Sequence, residues 1–410
     1  MLNNPQIRRL ILFVALILAV VTGAALANIS YARNNPGGTD FVIQWTAIRA
    51  FLIDGSSPYS DAATLEIQTN ITGGVDSQGE SAYRFTEPFY SLALYAPFSA
   101  ISDFEIARGL WMTVIEICLA GIAYFGLKLI KRRAPFWLAA VSFILVMLSF
   151  NGIRSIVNGN DAILVTMLLA IGLLAIVNKN DELAGVLLAF ATIRPLLVGV
   201  VIGFILLWAV FQHRSTIIYW FLGTLVLLAG FSMLLIPDWV IQNFRAFISS
   251  VATNPPGSPG ALMVHAWGDI GLRLAVFLCV AIGGILLLEW IHAFRGDTKH
   301  MVWTVFLTAA LCQWIGIPTR VENFVLLYPG ILFCFGVLLQ RWGGKVRMVV
   351  QGIAAVLIAV TWVLGLSTGM FGSRSAENPV GFFILPLVSI LLLYWTKWWT
   401  IRSAGNQEIR

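Results

Sequence analysis

Stretches of about 20 apolar residues recur along the whole of this chain, and that recurrence constrains its fold more than any other feature. Each stretch, coiled as a helix, is long enough to cross the roughly 30 Å hydrocarbon layer of a bilayer. Composition agrees: 59% of the 410 residues are hydrophobic, 11% are charged and the mean hydropathy is +0.85. A soluble chain carries about 25% charged residues. The sequence therefore predicts an all-α, polytopic transmembrane helical bundle forming one domain over 1–410. No segment outside the apolar runs is long enough to build a soluble core of its own.

The net charge of +6 is not a signal for nucleic acid, because the basic residues sit in short clusters between apolar runs. Clusters of that kind set membrane orientation. They fall at Arg8–Arg9, Lys131–Arg133, Lys179, His213–Arg214, Arg295–His300, Arg341–Arg347 and Lys397–Arg402. With all of them on the cytoplasmic side, both termini are cytoplasmic. Spans then read 10–28, 107–130, 136–152, 162–178, 217–236, 273–292, 301–317, 323–340, 346–367 and 379–396, about 10–12 in all once broken segments are counted. Residues 183–211 have basic flanks on both sides and are interrupted by Arg194-Pro195, which predicts two short helices meeting at the proline. Residues 88–101 are too short to span and read as interfacial. The long outer loops are 29–106 and 237–272, with turn chemistry at 75–80 and 254–260. The first apolar run is long for a signal peptide and lacks a small-x-small cleavage site, so it reads as a retained helix. Cys118, Cys279, Cys312 and Cys334 lie inside apolar runs without C-x-x-C spacing, which fits small hydrophobic residues rather than disulfides or metal ligands.

The stretch "GGTDFVIQWTAIRAFLIDGSSPY", 37–59, follows the first span. Two glycines break the preceding structure, Thr39 or Asp40 stands at a helix start, and an apolar helix follows along the interface. Two readings of Asp40 are open. It is a helix cap, or it is a general base kept ionised near the positive end of the helix dipole.

Together with "YRFTEPFYSLALYAPFSAISDFEIARGLW" (83–111) and "VNGNDAILVTMLLAIGLLAIVNKNDELAGVLLAFATIRP" (157–195), this stretch resembles the polyprenyl-phosphate-sugar-dependent glycosyltransferases of the GT-C superfamily, most like family 87. The likeness is clearest over roughly the first 210 residues. The family's Gly-Gln appears as Gly159-Asn160 and its Lys-Pro as Arg194-Pro195. Mannosyltransferase members carry histidines before a late span; here that turn reads "IPTRVENFVLLYP" (317–329), with Glu322 and Asn323. The resemblance implies a bundle of GT-C type in the plasma membrane with its active site on the outer face. The implied reaction is inverting transfer of a hexose (mannose-like) or pentose from a polyprenyl-phosphate sugar to a lipid or glycan acceptor. It puts the general base at Asp40; the residues themselves give no sign of a cofactor or metal.

Such a transfer needs a cation on the leaving phosphate, and arginine binds phosphate through paired hydrogen bonds. Arg84 and Arg320 lead the candidates, with Arg154, Arg194 and Arg374 behind them. Arg194 reads equally as a cation snorkelling to the surface. Glu87 suits a sugar hydroxyl or a pair with Arg84. Asn160 and Asp161 open a span, where Asp161 also reads as a helix cap. His265 is the one histidine in an outer loop and reads as structural or as a substrate contact. Trp45, Trp111 and Trp267 suit stacking on sugar, although tryptophan is common at membrane interfaces. No D-x-D or Walker pattern is present. A transporter or flippase of lipid-linked sugars is the competing class, and a lipid-linked glycan ligase or polymerase would use the same outer-face chemistry. The absence of a convincing internal repeat favours an enzyme over the transporter.

Overall fold

A computed structural model of the chain describes residues 5–73, 83–130, 134–253, 259–315, 320–367 and 381–401. The expected turn at 75–80, residues 254–258 of the one expected at 254–260, the cluster Lys131–Arg133, and Arg374 lie outside the described residues. Among the described residues every regular element is helical. The chain divides into two compact units: residues 1–85, 91–117 and 156–160, and residues 86–90, 118–155 and 161–410.

In the first unit, α1 (Pro5–Asn34) is a membrane-length helix whose Leu12, Phe13, Leu16 and Leu18 are exposed. Lipid accepts such a face where water would not. The glycine break that follows is real: Gly37 and Gly38 both take positive φ, 143° and 83°, which a side chain resists. Gly38 is the N-cap of α2 (Thr39–Asp54), and Gly55 closes that helix in the left-handed conformation. Asp40 is therefore not the cap; it sits in the first helical turn. The rest of the outer loop forms α3 (Asp61–Thr72), capped by Ser60 Oγ on the N–H of Ala63 at 3.2 Å, and the short α4 (Leu92–Ser99). Next comes α5 (Phe104–Lys128). Asp103 Oδ1 accepts the Ile106 N–H at 2.9 Å at its start, and that bond holds the Asp103 carboxyl below its ordinary range. Phe41 stacks on Phe104 and on Trp111, with Phe41 and Trp111 ring centres 5.6 Å apart, and meets Phe98 edge-on. Trp45 and Trp111 are buried in this aromatic core, which corrects the reading of them as sugar platforms; Trp267 remains exposed.

The second unit contains most of the bundle. Helices α6 (Phe136–Leu148) and α7 (Phe150–Asn158) meet at a 50° bend, and α8 (Ala162–Val177) follows. The expected pair in 183–211 is α9 (Asp181–Ala191) and α10 (Pro195–Phe211), with Pro195 in the first helical turn. α9 packs on α8 and on α11 (Ser215–Leu235), while α10 packs mainly on α14 (Thr298–Cys312). Between them come α12 (Trp239–Thr253) and α13 (Pro259–Phe294), the latter kinked at Gly268. α15 (Tyr328–Trp342), α16 (Arg347–Leu366) and α17 (Gly381–Ile401) complete the chain. α14 and α15 are buried along almost their whole length and form the core, while α11 and α13 expose Leu227, Leu234, Phe277 and Val280.

Six helical stretches among the described residues are long and apolar enough to cross a membrane, seven if the bent α6–α7 pair counts as one. The number is below the 10–12 spans read from the sequence because α8 and α10 are apolar but short, and Val321–Leu366 runs as one stretch. The chain is an integral membrane protein.

Glu289 and Lys397 form a charge pair inside this bundle, as a medium without water favours. Lys397 Nζ lies 2.5 and 2.8 Å from the Glu289 carboxylate oxygens, and Tyr394 donates to the same carboxylate. Lys397→Met strands that carboxylate, and breaking a buried pair costs about 3–5 kcal/mol. A marked fall in thermal stability in detergent is the expected outcome, largely recovered in Glu289→Leu/Lys397→Met; an unchanged K397M would remove the pair from the account of stability. Gly159 gives a second test. Its φ is +72°, and a Cβ there would lie 2.5 Å from the Phe41 Cβ. Gly159→Ala forces Phe41 out of the aromatic core and costs about 1–3 kcal/mol, read as a lower unfolding temperature.

Candidate active site

In the first unit the carboxylate of Asp40 meets the turn that precedes α8. Asn160, fully buried, donates its Nδ2–H to Asp40 Oδ2 at 2.8 Å. The turn reaches Asp40 because Gly159 takes a left-handed conformation against Phe41, and its carbonyl accepts the indole N–H of Trp111 at 2.9 Å. Asp40 itself is half-buried, in the first turn of α2, where the positive end of the helix dipole favours the ionised carboxylate. An oriented, partly exposed carboxylate can accept a proton from a hydroxyl brought against it. Arg84 lies in this unit too, 3.5 Å from the exposed carboxylate of Asp61.

A second polar cluster lies in the second unit. Arg194, at the turn between α9 and α10, is 3.1 Å from Asp161 Oδ1 and 3.7 Å from Glu87 Oε1, and reaches Asn323 Oδ1 at 3.4 Å. The snorkelling alternative for Arg194 is replaced by these partners. Asp161 is the N-cap residue of α8 but makes no side-chain cap bond; its carboxylate pairs with Arg194 instead. Next to Asn323, Glu322 is buried and accepts from Arg154 Nε at 2.6 Å. Arg320 is half-buried and precedes the 3-10 turn Val321–Leu327 that carries Glu322 and Asn323; the Asn323 N–H bonds back to the Arg320 carbonyl at 2.9 Å. Asn151 Nδ2 holds the Val321 carbonyl at 2.6 Å and Ser155 Oγ the Glu322 carbonyl at 3.3 Å, so α7 sets the position of this turn.

Glu87 is fixed from the other direction. Asn243 of α12 donates to the carbonyls of Thr86 and Glu87 at 2.8 and 3.0 Å. The Tyr90 hydroxyl sits 2.9 Å from both Thr192 oxygens; burial pushes its pKa up, with the Thr192 hydrogen bond opposing. Tyr90 is thus a neutral hydrogen-bonding group that ties the Glu87 segment to the turn before Arg194.

The sequence-derived candidates accordingly separate. Asp40 pairs with Asn160 in one unit; Glu87, Asp161, Arg194 and Glu322 gather with Arg154 and Asn323 in the other. His265 lies in the first part of α13, and its side chain is outside the described residues. Three side chains that organise these clusters were not singled out from sequence: Arg108, Asn151 and Asn243. A charge one turn inside an apolar span was the readable signal for Arg108; asparagines carry no comparable mark. Among the described residues no three His, Cys, Asp or Glu side chains converge as a metal site would require.

No curated protein and no solved structure matches the chain. The family model for glycosyltransferase family 87 matches residues 85–312. That range includes Glu87, Asn160, Asp161, Arg194 and the His265 position; Asp40 and Arg84 precede it, and Arg320 and Glu322 follow it. More than half of the chain is matched, and its helices are those of an integral membrane protein. The chain belongs to glycosyltransferase family 87 and is a membrane glycosyltransferase.

Proposed function

We propose that the chain transfers a sugar, a mannose-like hexose or a pentose, from a polyprenyl-phosphate donor to a lipid or glycan acceptor on the outer face of the plasma membrane, with inversion at the anomeric carbon. Asp40 is the general base. It takes the proton from the acceptor hydroxyl as that oxygen bonds to the anomeric carbon, and the bond to the phosphate breaks with its electron pair leaving on phosphate. The observation that carries this reading is the Asn160–Asp40 hydrogen bond at 2.8 Å, which joins the carboxylate to a residue inside the family-matched segment. The outer face is supported by the placing of the basic clusters in the cytoplasm that the charge rule favours.

The phosphate is assigned to Arg194 and Arg320. Arg84 holds the lesser claim because its guanidinium lies 3.5 Å from the exposed carboxylate of Asp61. The Arg194 guanidinium, held by Asp161 and Glu87, is oriented before substrate arrives and can stabilise the charge that grows on the leaving phosphate. Glu87, Asp161 and Glu322 are acceptors suited to sugar hydroxyls, with Asn160 holding the base and His265 a further acceptor-side contact. The ligase and flippase alternatives have no separate observation in their favour.

Purified protein incubated with a panel of polyprenyl-phosphate hexoses and pentoses should release polyprenyl phosphate from one member and transfer its sugar. Movement of intact donor across vesicles without release would support the flippase instead. Asp40→Asn keeps the shape and a hydrogen bond to Asn160 while removing the basicity, so turnover should fall on the order of a hundredfold or more with folding intact. Normal turnover by D40N refutes the base. Arg194→Lys keeps the charge but loses the fork; losing one charge-assisted hydrogen bond, about 1.5–3 kcal/mol, should raise the donor KM about ten- to a hundredfold. An unchanged KM moves the phosphate to another arginine.

A further inference from the structure

Arg108 sits one turn inside α5, is 1% exposed, and meets backbone rather than a carboxylate in its two hydrogen bonds. Its Nη1 donates to the Asn35 carbonyl at 2.7 Å and its Nη2 to the Val157 carbonyl at 2.9 Å. Asn35 follows α1 and precedes Asp40 by five residues; Val157 precedes Asn160 by three. One guanidinium thus ties together the two segments that carry the two ends of the Asn160–Asp40 hydrogen bond.

The glycine pair is shaped around this cation. A Cβ on Gly37 would stand 3.2 Å from Arg108 Nη2, and one on Gly38 would stand 2.6 Å from its Nε. The Nε atom is itself buried with no hydrogen-bond partner. A buried cation with one donor unsatisfied is a poor device for stability, since a well-packed apolar side chain does as well or better. What an apolar side chain cannot do is hold two carbonyls at fixed separation through a planar fork.

We infer that Arg108 is a positioning residue for the reaction: it holds the Asn35–Asp40 segment against the Val157–Asn160 turn and thereby sets the direction of the Asp40 carboxylate. This rests on the reading of Asp40 as base. A base displaced by about 1 Å costs on the order of a hundredfold in rate, while donor binding, which does not involve the carboxylate's direction, is spared.

The test is a double-mutant cycle on the full chain in detergent, using the polyprenyl-phosphate sugar that the wild type turns over. Arg108→Lys supplies an ammonium that cannot span both carbonyls, and Asn160→Ala removes the amide. R108K should lower kcat about ten- to a hundredfold with donor KM changed less than about twofold. R108K/N160A should be no slower than the slower single variant, because both changes release the same carboxylate. Rates are taken per folded protein by size exclusion, and where R108K does not fold the cycle is run with Arg108→Gln. A normal kcat in R108K, a loss that appears in KM instead, or losses that multiply in the double variant overturns the positioning role. A parallel D40N measurement separates the two failures. If D40N turns over normally, the base assignment falls and this inference with it; if D40N is slow while the cycle fails, only the role of Arg108 falls.

Discussion

Lipid offers no hydrogen bonds, and that constraint governs the placement of the polar groups inside this protein. Among the described residues, several charges drawn into the helical bundle meet partners there. Glu289 has Lys397 and Tyr394, Glu116 accepts from Asn28 at 3.0 Å, and Arg194 has Asp161 and Glu87. Pairs of this sort add little net stability over apolar packing, because desolvating two charges offsets most of their attraction. They do penalise every arrangement in which the partners are apart, and so they select one register of helix against helix. The geometry of the candidate active site is a product of that selection.

The short elements show how much of this local geometry comes from backbone rather than side-chain chemistry. Gly38 and Gly159 both take left-handed φ, and neither position has room for a Cβ. With Gly38, α2 starts where its first turn carries Asp40; with Gly159, the following amide reaches that carboxylate. The aromatic stack of Phe41 and Trp111 then makes both turns part of one packed core, so Asp40 is fixed by burial of its neighbours rather than by its own exposed surface.

Sequence alone revealed what is local. Apolar periodicity and length located the long helices, the Gly37-Gly38 break marked the start of α2, and Pro195 marked the division between α9 and α10. Two local readings needed revision. Asp40 stands where a helix cap stands, yet the neighbouring Gly38 takes that position; Asp161 is the N-cap residue of α8, yet its carboxylate goes to Arg194 rather than to a backbone N–H. Long-range partners decide where both carboxylates point, and local sequence does not show which of many polar residues will meet. Asn160 reaches Asp40 from 120 positions away, and Arg194 reaches Asn323 from 129. Tryptophans at interface depth read as sugar platforms for the same reason: burial by distant segments is invisible locally.

The Arg194 cluster raises a point about how a phosphate would enter it. With Arg154 and Arg194 set against Glu87, Asp161 and Glu322, the cluster already balances most of its charge internally. On the proposed reading, the donor phosphate does not fill an empty cationic hole; it exchanges with a carboxylate for a share of the guanidinium. The Glu87 contact is the longer of the two ion pairs, 3.7 Å against 3.1 Å, and Glu87 lies on a short segment held by Asn243 and Tyr90 rather than inside a long helix. A carboxylate that loosens from arginine as phosphate arrives is then available to accept a sugar hydroxyl, so one exchange would prepare both ends of the donor. Affinity for phosphate is lowered by the competing acids, while Arg194 stays oriented for charge that grows during bond breaking. That is the condition under which binding energy appears in the transition state rather than in the resting complex.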